Sequence, residues 1–147
     1  MGIGIATVVA FFFACALGSQ PLGKRGAASD AFTLVLGQGG GFTGTQEGYR
    51  INSQGKVERW HRLPGKPTGY QEIGTLSQEQ LRELTAALEA LDLANLPAGA
   101  PGNVSSFLEI TISQKTHSTV WSGSYQEAPA SLRYLMQLLL GWITKLE

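Results

Sequence analysis

The sequence predicts an α+β fold, a small antiparallel sheet packed by two helices, with its elements in the order β-β-β-α-β-β-α. Three observations support this prediction. First, segments in which large apolar residues occupy every second position lie before and after a capped, leucine-rich segment. Second, turn residues separate these alternating segments from one another. Third, a second apolar segment with helical spacing follows. In a small domain, helices of this kind bury their apolar side against one face of the sheet.

The first half of the chain contains the first three predicted strands. Large apolar residues alternate from Phe32 to Leu36, and we expect this strand to end in a loop at the glycine run Gly37–Gly41, because glycine weakens strands. A hairpin is predicted between Tyr49 and Trp60, around the polar turn Asn52–Gly55. The pattern over Tyr70–Ile73 could add a short strand that the predicted order does not count.

A capping box predicts where the first helix begins. The Ser77 hydroxyl is placed to accept a hydrogen bond from a backbone N–H of the first turn, and Gln80 is placed to bond back to the cap. The apolar residues that follow recur at helical spacing: Leu81, Leu84, Leu88 and Leu91. We expect the helix to bury this side and to end near Leu93.

The second half of the chain predicts another hairpin and a second helix. Beyond a loop at residues 97–103, strand patterns cover residues 108–112 and 116–122, with a turn at Gln114–Lys115 between them. Pro129 suits the first turn of the second helix, where its missing N–H is not needed. Apolar residues occupy more than one side of this helix, so we expect it to lie deep against the sheet rather than against a partner.

The N-terminus carries the pattern of an export signal. Residues 1–14 contain no charged side chain and are too few for a membrane-spanning helix, which needs about 20 residues, but they suit the apolar part of a signal peptide. We predict a signal peptide over residues 1–16, a flexible tether over residues 17–30 and a single α+β domain over residues 31–147. A domain of about 120 residues is large enough for one hydrophobic core.

Cys15 is the single cysteine of the chain, and it leaves two routes of processing open. Residues 12–15 resemble a bacterial lipobox, in which the cysteine becomes the lipidated first residue, although Phe12 stands where an aliphatic residue is usual. Ala14-Cys15-Ala16 also suits an ordinary signal peptidase, which would release a soluble protein beginning at Leu17. A cysteine buried in the fold is a third alternative. We expect a cell-envelope lipoprotein on the periplasmic or extracellular face, with soluble secretion as the alternative.

The charge balance excludes several classes of partner. Eleven Lys and Arg residues balance eleven Asp and Glu residues, so the chain lacks the basic surplus that binding of nucleic acid requires. No segment has the pattern of a basic amphipathic helix, so we expect contact with a membrane only through an N-terminal lipid anchor. One cysteine cannot form an intramolecular disulfide, and the domain must therefore be held by its core.

The sequence lacks recognisable catalytic and cofactor-binding patterns. His61 and His117 lie on different predicted elements, and two histidines with one cysteine fall short of a structural zinc site. No serine lies in a Gly-x-Ser-x-Gly elbow, and the glycine run leads toward a strand, whereas a nucleotide-binding loop opens a helix. We predict no catalytic residue, no metal, no cofactor and no enzymatic activity. Trp60, Trp121 and Tyr125 are expected to pack the sheet rather than to form a surface for a carbohydrate or peptide.

Three segments resemble the emfourins, small bacterial inhibitors of thermolysin-type metalloproteases. They are Gly40-Gly41-Phe42 after the first strand, Leu76–Leu81 at the start of the first helix, and Ala128–Leu132 after the later hairpin. The chain departs from the family pattern in its export signal, its longer glycine run and the added hairpin residues Gly44–Pro67. The resemblance implies a non-enzymatic protein that occludes the cleft of a secreted metalloprotease.

The glycine run would supply the binding loop of such an inhibitor. We place the partner-binding residues at Gly39, Gly40, Gly41 and Phe42, with Phe42 as the anchor and the glycines allowing close approach of the backbone. The alternative is that Phe42 folds into the core, which the usual burial of phenylalanine favours. Two other hypotheses stay open: an envelope-associated binding or assembly module with another protein partner, and an enzyme of a type that the sequence does not identify.

Overall fold

The computed structural model describes residues 31–147; the predicted signal, the predicted tether and Cys15 lie outside the described residues. The described chain forms one six-stranded antiparallel sheet and two α-helices, which confirms the predicted α+β class. The strands are β1 (Phe32–Gly40), β2 (Gln46–Asn52), β3 (Lys56–Arg62), β4 (Gly69–Thr75), β5 (Val104–Ile112) and β6 (Lys115–Ser122). The helices are α1 (Gln78–Glu89) and α2 (Arg133–Leu146). Of the helices in this range, none has the length and apolarity to cross a membrane.

The sheet order is β4-β3-β2-β1-β5-β6, so the first strand of the chain lies inside the sheet. β1 pairs with β2 on one side and with β5 on the other. Ala31 lies beside the β5–β6 turn, where its carbonyl accepts a hydrogen bond from the Ser113 N–H. We refer to this end of the sheet as the proximal end, and to the opposite end, where the β1–β2 turn lies, as the distal end.

Both helices pack into one core with a single face of the sheet. The core residues of β1 and β5 occupy every second position of each strand, as the alternating pattern requires. The residues that α2 buries are Leu135, Met136, Leu139, Trp142 and Ile143. The expectation that the second helix lies deep against the sheet is confirmed. Within residues 31–147, no helix lies on the opposite face of the sheet.

The predicted end of the first strand is wrong, because β1 continues through the glycines to Gly40. A Cβ atom added to Gly37 would lie 2.3 Å from the ring of Phe107 and 2.5 Å from the ring of Trp60. These two rings occupy the space that a side chain at position 37 would need. Glycine therefore allows the strand to continue here, and the predicted glycine loop is reduced to a turn that begins at Gly41.

Other boundaries also differ from the sequence predictions. Gly69–Thr75 is a full strand, so four strands precede α1 and the observed order is β-β-β-β-α-β-β-α. α1 ends at Glu89. Pro129 precedes a short 3-10 turn over Ala130–Leu132 rather than opening the second helix, and α2 begins after that turn.

The predicted cap of α1 is confirmed, whereas the predicted turn of the later hairpin is displaced by one residue. The Ser77 hydroxyl accepts a hydrogen bond from the Gln80 N–H at 3.2 Å, and the Gln80 side chain accepts one from the Ser77 N–H at 2.8 Å. The β5–β6 turn consists of Ser113 and Gln114, both with positive φ, while Lys115 already belongs to β6.

Candidate functional site

The turn between β1 and β2 presents Phe42 at the distal end of the sheet. Phe42 is fully exposed, so the alternative that it folds into the core is wrong. Its exposure follows from the backbone around it. Gly40, Gly41 and Gly44 have φ angles of 129°, 71° and 60°, a region that residues with a side chain rarely adopt. The glycines let the chain turn sharply on both sides of one aromatic residue.

Hydrogen bonds hold this turn to its neighbours. The Gly41 N–H donates to the Asn103 carbonyl at 2.7 Å, and the Gly44 N–H donates to the Gly41 carbonyl at 3.4 Å. A Cβ atom on Gly40 would lie 2.3 Å from the same Asn103 oxygen, so only glycine permits this approach. The turn is therefore fixed to the segment that leads into β5.

Two further exposed apolar side chains lie at the distal end. Leu63 follows β3, and Val104 begins β5 beside the last residue of β1. A Cβ atom on Gly44 would lie 3.2 Å from the Pro64 ring, which shows that the β1–β2 and β3–β4 turns are in contact. We refer to Phe42, Leu63 and Val104 together as the apolar tip. They are three of the five large exposed hydrophobic residues in the described part of the chain.

The apolar tip has the width of a single binding pocket and its rim. β3, β2, β1 and β5 are consecutive strands, so the tip extends over three strand spacings, or about 14 Å. A fully exposed aromatic residue with two further exposed apolar side chains at the same end of the sheet makes this end the candidate protein interaction site.

The structure separates the four residues that the sequence assigns to a binding loop. Gly39 and Gly40 belong to β1, and only Gly41 and Phe42 lie in the turn. Leu63 and Val104 are not among the residues predicted from the sequence, because strand pairing brings them to the tip. The available signal is weak, since each is a lone apolar residue next to a turn or loop sequence.

The two predicted sheet-packing tryptophans are buried, each with 4% of its surface exposed, as predicted. They lie on opposite faces. Trp121 belongs to the core, and its indole N–H donates to the Ser124 carbonyl at 2.8 Å. Trp60 lies over Gly37 on the face without helices, with its ring centre 5.9 Å from that of Phe107. The indole N–H of Trp60 has no hydrogen-bond partner among the described residues.

A polar cavity of about 230 Å³ lies on the helix side of the sheet. The residues that line it are Gln38, Glu47, Gly48, Tyr49, Arg59 and Tyr125. The Tyr49 hydroxyl donates to the Glu147 side chain at 3.0 Å, and Arg59 pairs with the same carboxylate. Burial, followed by the neighbouring Tyr49 and Glu47, raises the pKa of Tyr125, so its phenol stays protonated. The cavity is suited to hydrogen bonding, and its lining contains no Ser, Cys or His.

The two histidines lie far apart in the sheet. His61 is on β3 and His117 is on β6, with three strands between them. Within residues 31–147, no three His, Cys, Asp or Glu side chains come together in a group able to hold a metal ion. The sequence predictions of a protein without catalytic residues or a cofactor remain predictions.

The fold and the apolar tip define the class: a small α+β domain that presents exposed apolar residues at one end of its sheet. No known family model matches the chain, and no curated protein matches it significantly. The resemblance to emfourins remains a prediction from three sequence segments.

Proposed function

We propose that this protein is an exported, non-enzymatic binding protein whose apolar tip occludes the cleft of a thermolysin-type metalloprotease. The observation that carries the proposal is the full exposure of Phe42 on a glycine-framed turn. Burying a phenylalanine side chain in a partner contributes about 1.5–3 kcal/mol. Large apolar anchors that fill a partner's pocket carry much of the binding free energy of an interface. The emfourin resemblance supports the class of partner.

The position of the tip suits a protein anchored at its N-terminus. The nine residues of β1 span eight steps of about 3.4 Å, so the proximal and distal ends are roughly 27 Å apart. The predicted tether joins the domain at Ala31, on the proximal end. A lipid on Cys15 would therefore leave the apolar tip on the side of the domain opposite its attachment, where a secreted protease would meet it.

The rigidity of the turn supports inhibition rather than cleavage. The hydrogen bond between Gly41 and Asn103 and the close contact at Gly40 restrain the turn before any partner arrives. A binding loop that is already ordered loses less conformational entropy on association. The same restraint keeps the backbone around Phe42 from opening into an extended substrate-like form.

The proposal is tested by titrating residues 19–147, which include the whole described domain, against thermolysin-type metalloproteases. Hydrolysis of a peptide substrate and the integrity of the added protein are followed together. We expect stoichiometric inhibition by a protein that stays intact. Unchanged hydrolysis with several such proteases, or digestion of the protein, would contradict the proposal. A pull-down from the cell envelope would then test the alternative, a binding or assembly module with another protein partner.

Replacement of the anchor gives the sharper measurement. Phe42→Ala should weaken inhibition at least tenfold, because about 1.5–3 kcal/mol of apolar burial is lost and 1.4 kcal/mol is about a factor of ten. Its thermal unfolding should match that of the wild type, since Phe42 contributes nothing to the core. Tyr134→Ala is the matched control, because Tyr134 is an exposed aromatic residue on α2. Equal inhibition by both variants would remove Phe42 as the anchor.

A further inference from the structure

The charges beside the apolar tip are unevenly distributed. Residues 38–46, 61–71 and 97–105 form turns and strand ends of the distal end and include no Asp or Glu. Two exposed acidic residues lie at the same end: Glu47, paired with Gln38 and His61, and Glu127, which follows β6. Arg62, at the end of β3, and Lys66, in the β3–β4 turn, are exposed cations within these segments. The cations therefore lie at the β3–β4 side of this end, whereas the acidic side chains lie elsewhere on it.

The acidic residues of this end lie away from Arg62 and Lys66. Glu47 lines the polar cavity on the helix side, whereas Arg62 bonds to Gln46. Successive residues of a strand point to opposite faces, so Glu47 and Gln46 lie on different sides of β2. Glu127 follows β6, four strands from β3, and accepts a hydrogen bond from the Ser124 N–H at 2.6 Å. The ion pairs among the described residues use Arg50, Lys56 and Arg59, and leave Arg62 and Lys66 without an acidic partner there.

We infer that the protein partner of the apolar tip carries an acidic surface beside the pocket that accepts Phe42, positioned to meet Arg62 and Lys66. The inference rests on the proposed function and adds the charge of the partner to it. Exposed charges at the rim of an interface contribute little affinity, but they accelerate association and exclude wrong orientations. Because both cations lie on the β3–β4 side of Phe42, they select one docking orientation.

An anionic membrane would attract the same cations, but the observations favour a protein. Sequences that recognise anionic lipid carry clusters of about four to eight Lys or Arg residues. The distal end has two, beside a single fully exposed aromatic residue. This combination suits a pocket with a charged rim better than a lipid surface.

The test compares the association rate of the protease with residues 19–147 and with two double charge reversals. Arg62→Glu/Lys66→Glu changes the distal end. Arg82→Glu/Lys115→Glu makes the same change in charge at exposed cations on α1 and at the start of β6. At about 10 mM NaCl, where charges act over about 30 Å, the distal variant should associate at least tenfold more slowly than the wild type. At about 1 M NaCl, where the range is about 3 Å, the difference should fall below about threefold. The control should slow association much less than the distal variant at about 10 mM NaCl and should match the wild type at about 1 M NaCl.

Three outcomes would overturn the inference, and they are distinguishable. If the wild type inhibits and the distal variant associates equally fast at low salt, the acidic partner surface is wrong while the proposed function stands. If the wild type does not inhibit, the proposed function fails and the inference fails with it. If the wild type sediments with vesicles containing about 30% phosphatidylglycerol and the distal variant does not, the cations serve a membrane. If thermal unfolding shows that the charge-reversal variant is destabilised, Arg62→Gln/Lys66→Gln takes its place. This neutral variant should change the logarithm of the association rate about half as much.

Discussion

Gly37 shows at the scale of one residue how distant side chains decide the course of a strand. A glycine inside a strand ordinarily weakens it, because it contributes no side chain to packing. Here the rings of Trp60 and Phe107 lie over Gly37 and supply that packing from β3 and β5. Gly37, which resembles a strand breaker in the sequence, therefore leaves room for two aromatic rings that link β3, β1 and β5 on one face of the sheet.

Replacing Gly37 should destabilise the protein, whereas replacing a second glycine should stabilise it. Gly37→Ala should lower the free energy of unfolding by about 1–3 kcal/mol, because its Cβ overlaps both rings. Gly141→Ala is the matched control, since no atom lies within 4 Å of its added Cβ and the residue is in α2. It should raise stability by about 0.5–1 kcal/mol. Urea unfolding measures both, and equal changes would contradict the packing argument.

The two buried tryptophans should respond differently to the same substitution. Trp121→Phe leaves the Ser124 carbonyl without its donor, whereas Trp60→Phe removes an N–H that has no partner among the described residues. An unsatisfied buried polar group costs about 1–3 kcal/mol. Trp121→Phe should therefore destabilise the protein more than Trp60→Phe, by about 1–3 kcal/mol in chemical unfolding. A larger loss for Trp60→Phe would contradict this difference.

At the scale of elements, charged side chains connect the three strands on one side of the sheet. Arg50 on β2 pairs with Glu58 on β3 at 2.6 Å. Lys56 on β3 pairs with Glu58 at 3.0 Å and with Glu72 on β4 at 3.2 Å. The Arg50 guanidinium also lies 4.0 Å above the centre of the Tyr70 ring. These contacts connect β4, the outermost strand on this side, to the interior of the sheet.

This network should make stability depend on pH through Glu58. Burial acts to raise the pKa of Glu58, but hydrogen bonds from Lys56 and Arg50, with their charges, outweigh it and bring the pKa below its usual 4.5. A pKa lowered by folding gives stability that is complete above about pH 4.5 and is lost as the pH falls through the folded-state value. The difference in unfolding free energy between the wild type and Glu58→Gln should be largest near neutral pH and shrink in acid. Glu109→Gln is the control, and an equal acid-dependent difference there would contradict the network.

Elements with a local signal could be predicted from the sequence, and elements decided by distant contacts could not. The capping box of Ser77 and Gln80 lies within one helical turn, so the start of α1 is found correctly. The end of β1 depends on aromatic rings from β3 and β5, and no residue near Gly37 in the sequence indicates these contacts. The same distinction divides the candidate site. Phe42 stands out beside its glycines, whereas Leu63 joins it only through the pairing of strands.

At the scale of the whole molecule, the sheet has a proximal end, where the chain enters from the predicted tether, and a distal end with the apolar tip. Ala31 and Phe42 lie at opposite ends of one strand. Changes in the length of the tether should leave the tip unaltered, since the core and both helices lie within residues 31–147.

The predicted anchor is tested on the full chain in a bacterial host. The wild type should incorporate labelled palmitate and fractionate with membranes, because a lipidated N-terminal cysteine holds the protein there. Cys15→Ser should lose both the label and the membrane fraction. A wild-type protein that is unlabelled and released would favour signal peptidase cleavage before Leu17 instead.

The positions of Ala31 and Phe42 just beyond the two ends of β1 also determine how the domain would carry a mechanical load. A pull between a membrane anchor and a partner bound at Phe42 would run along the backbone of β1. That strand is already near full extension, at about 3.4 Å per residue against a maximum of about 3.6 Å. Its hydrogen bonds to β2 and β5 lie across the direction of pull and would bear little of the force. The tension would pass through covalent bonds, and the domain would hold its partner without being unfolded.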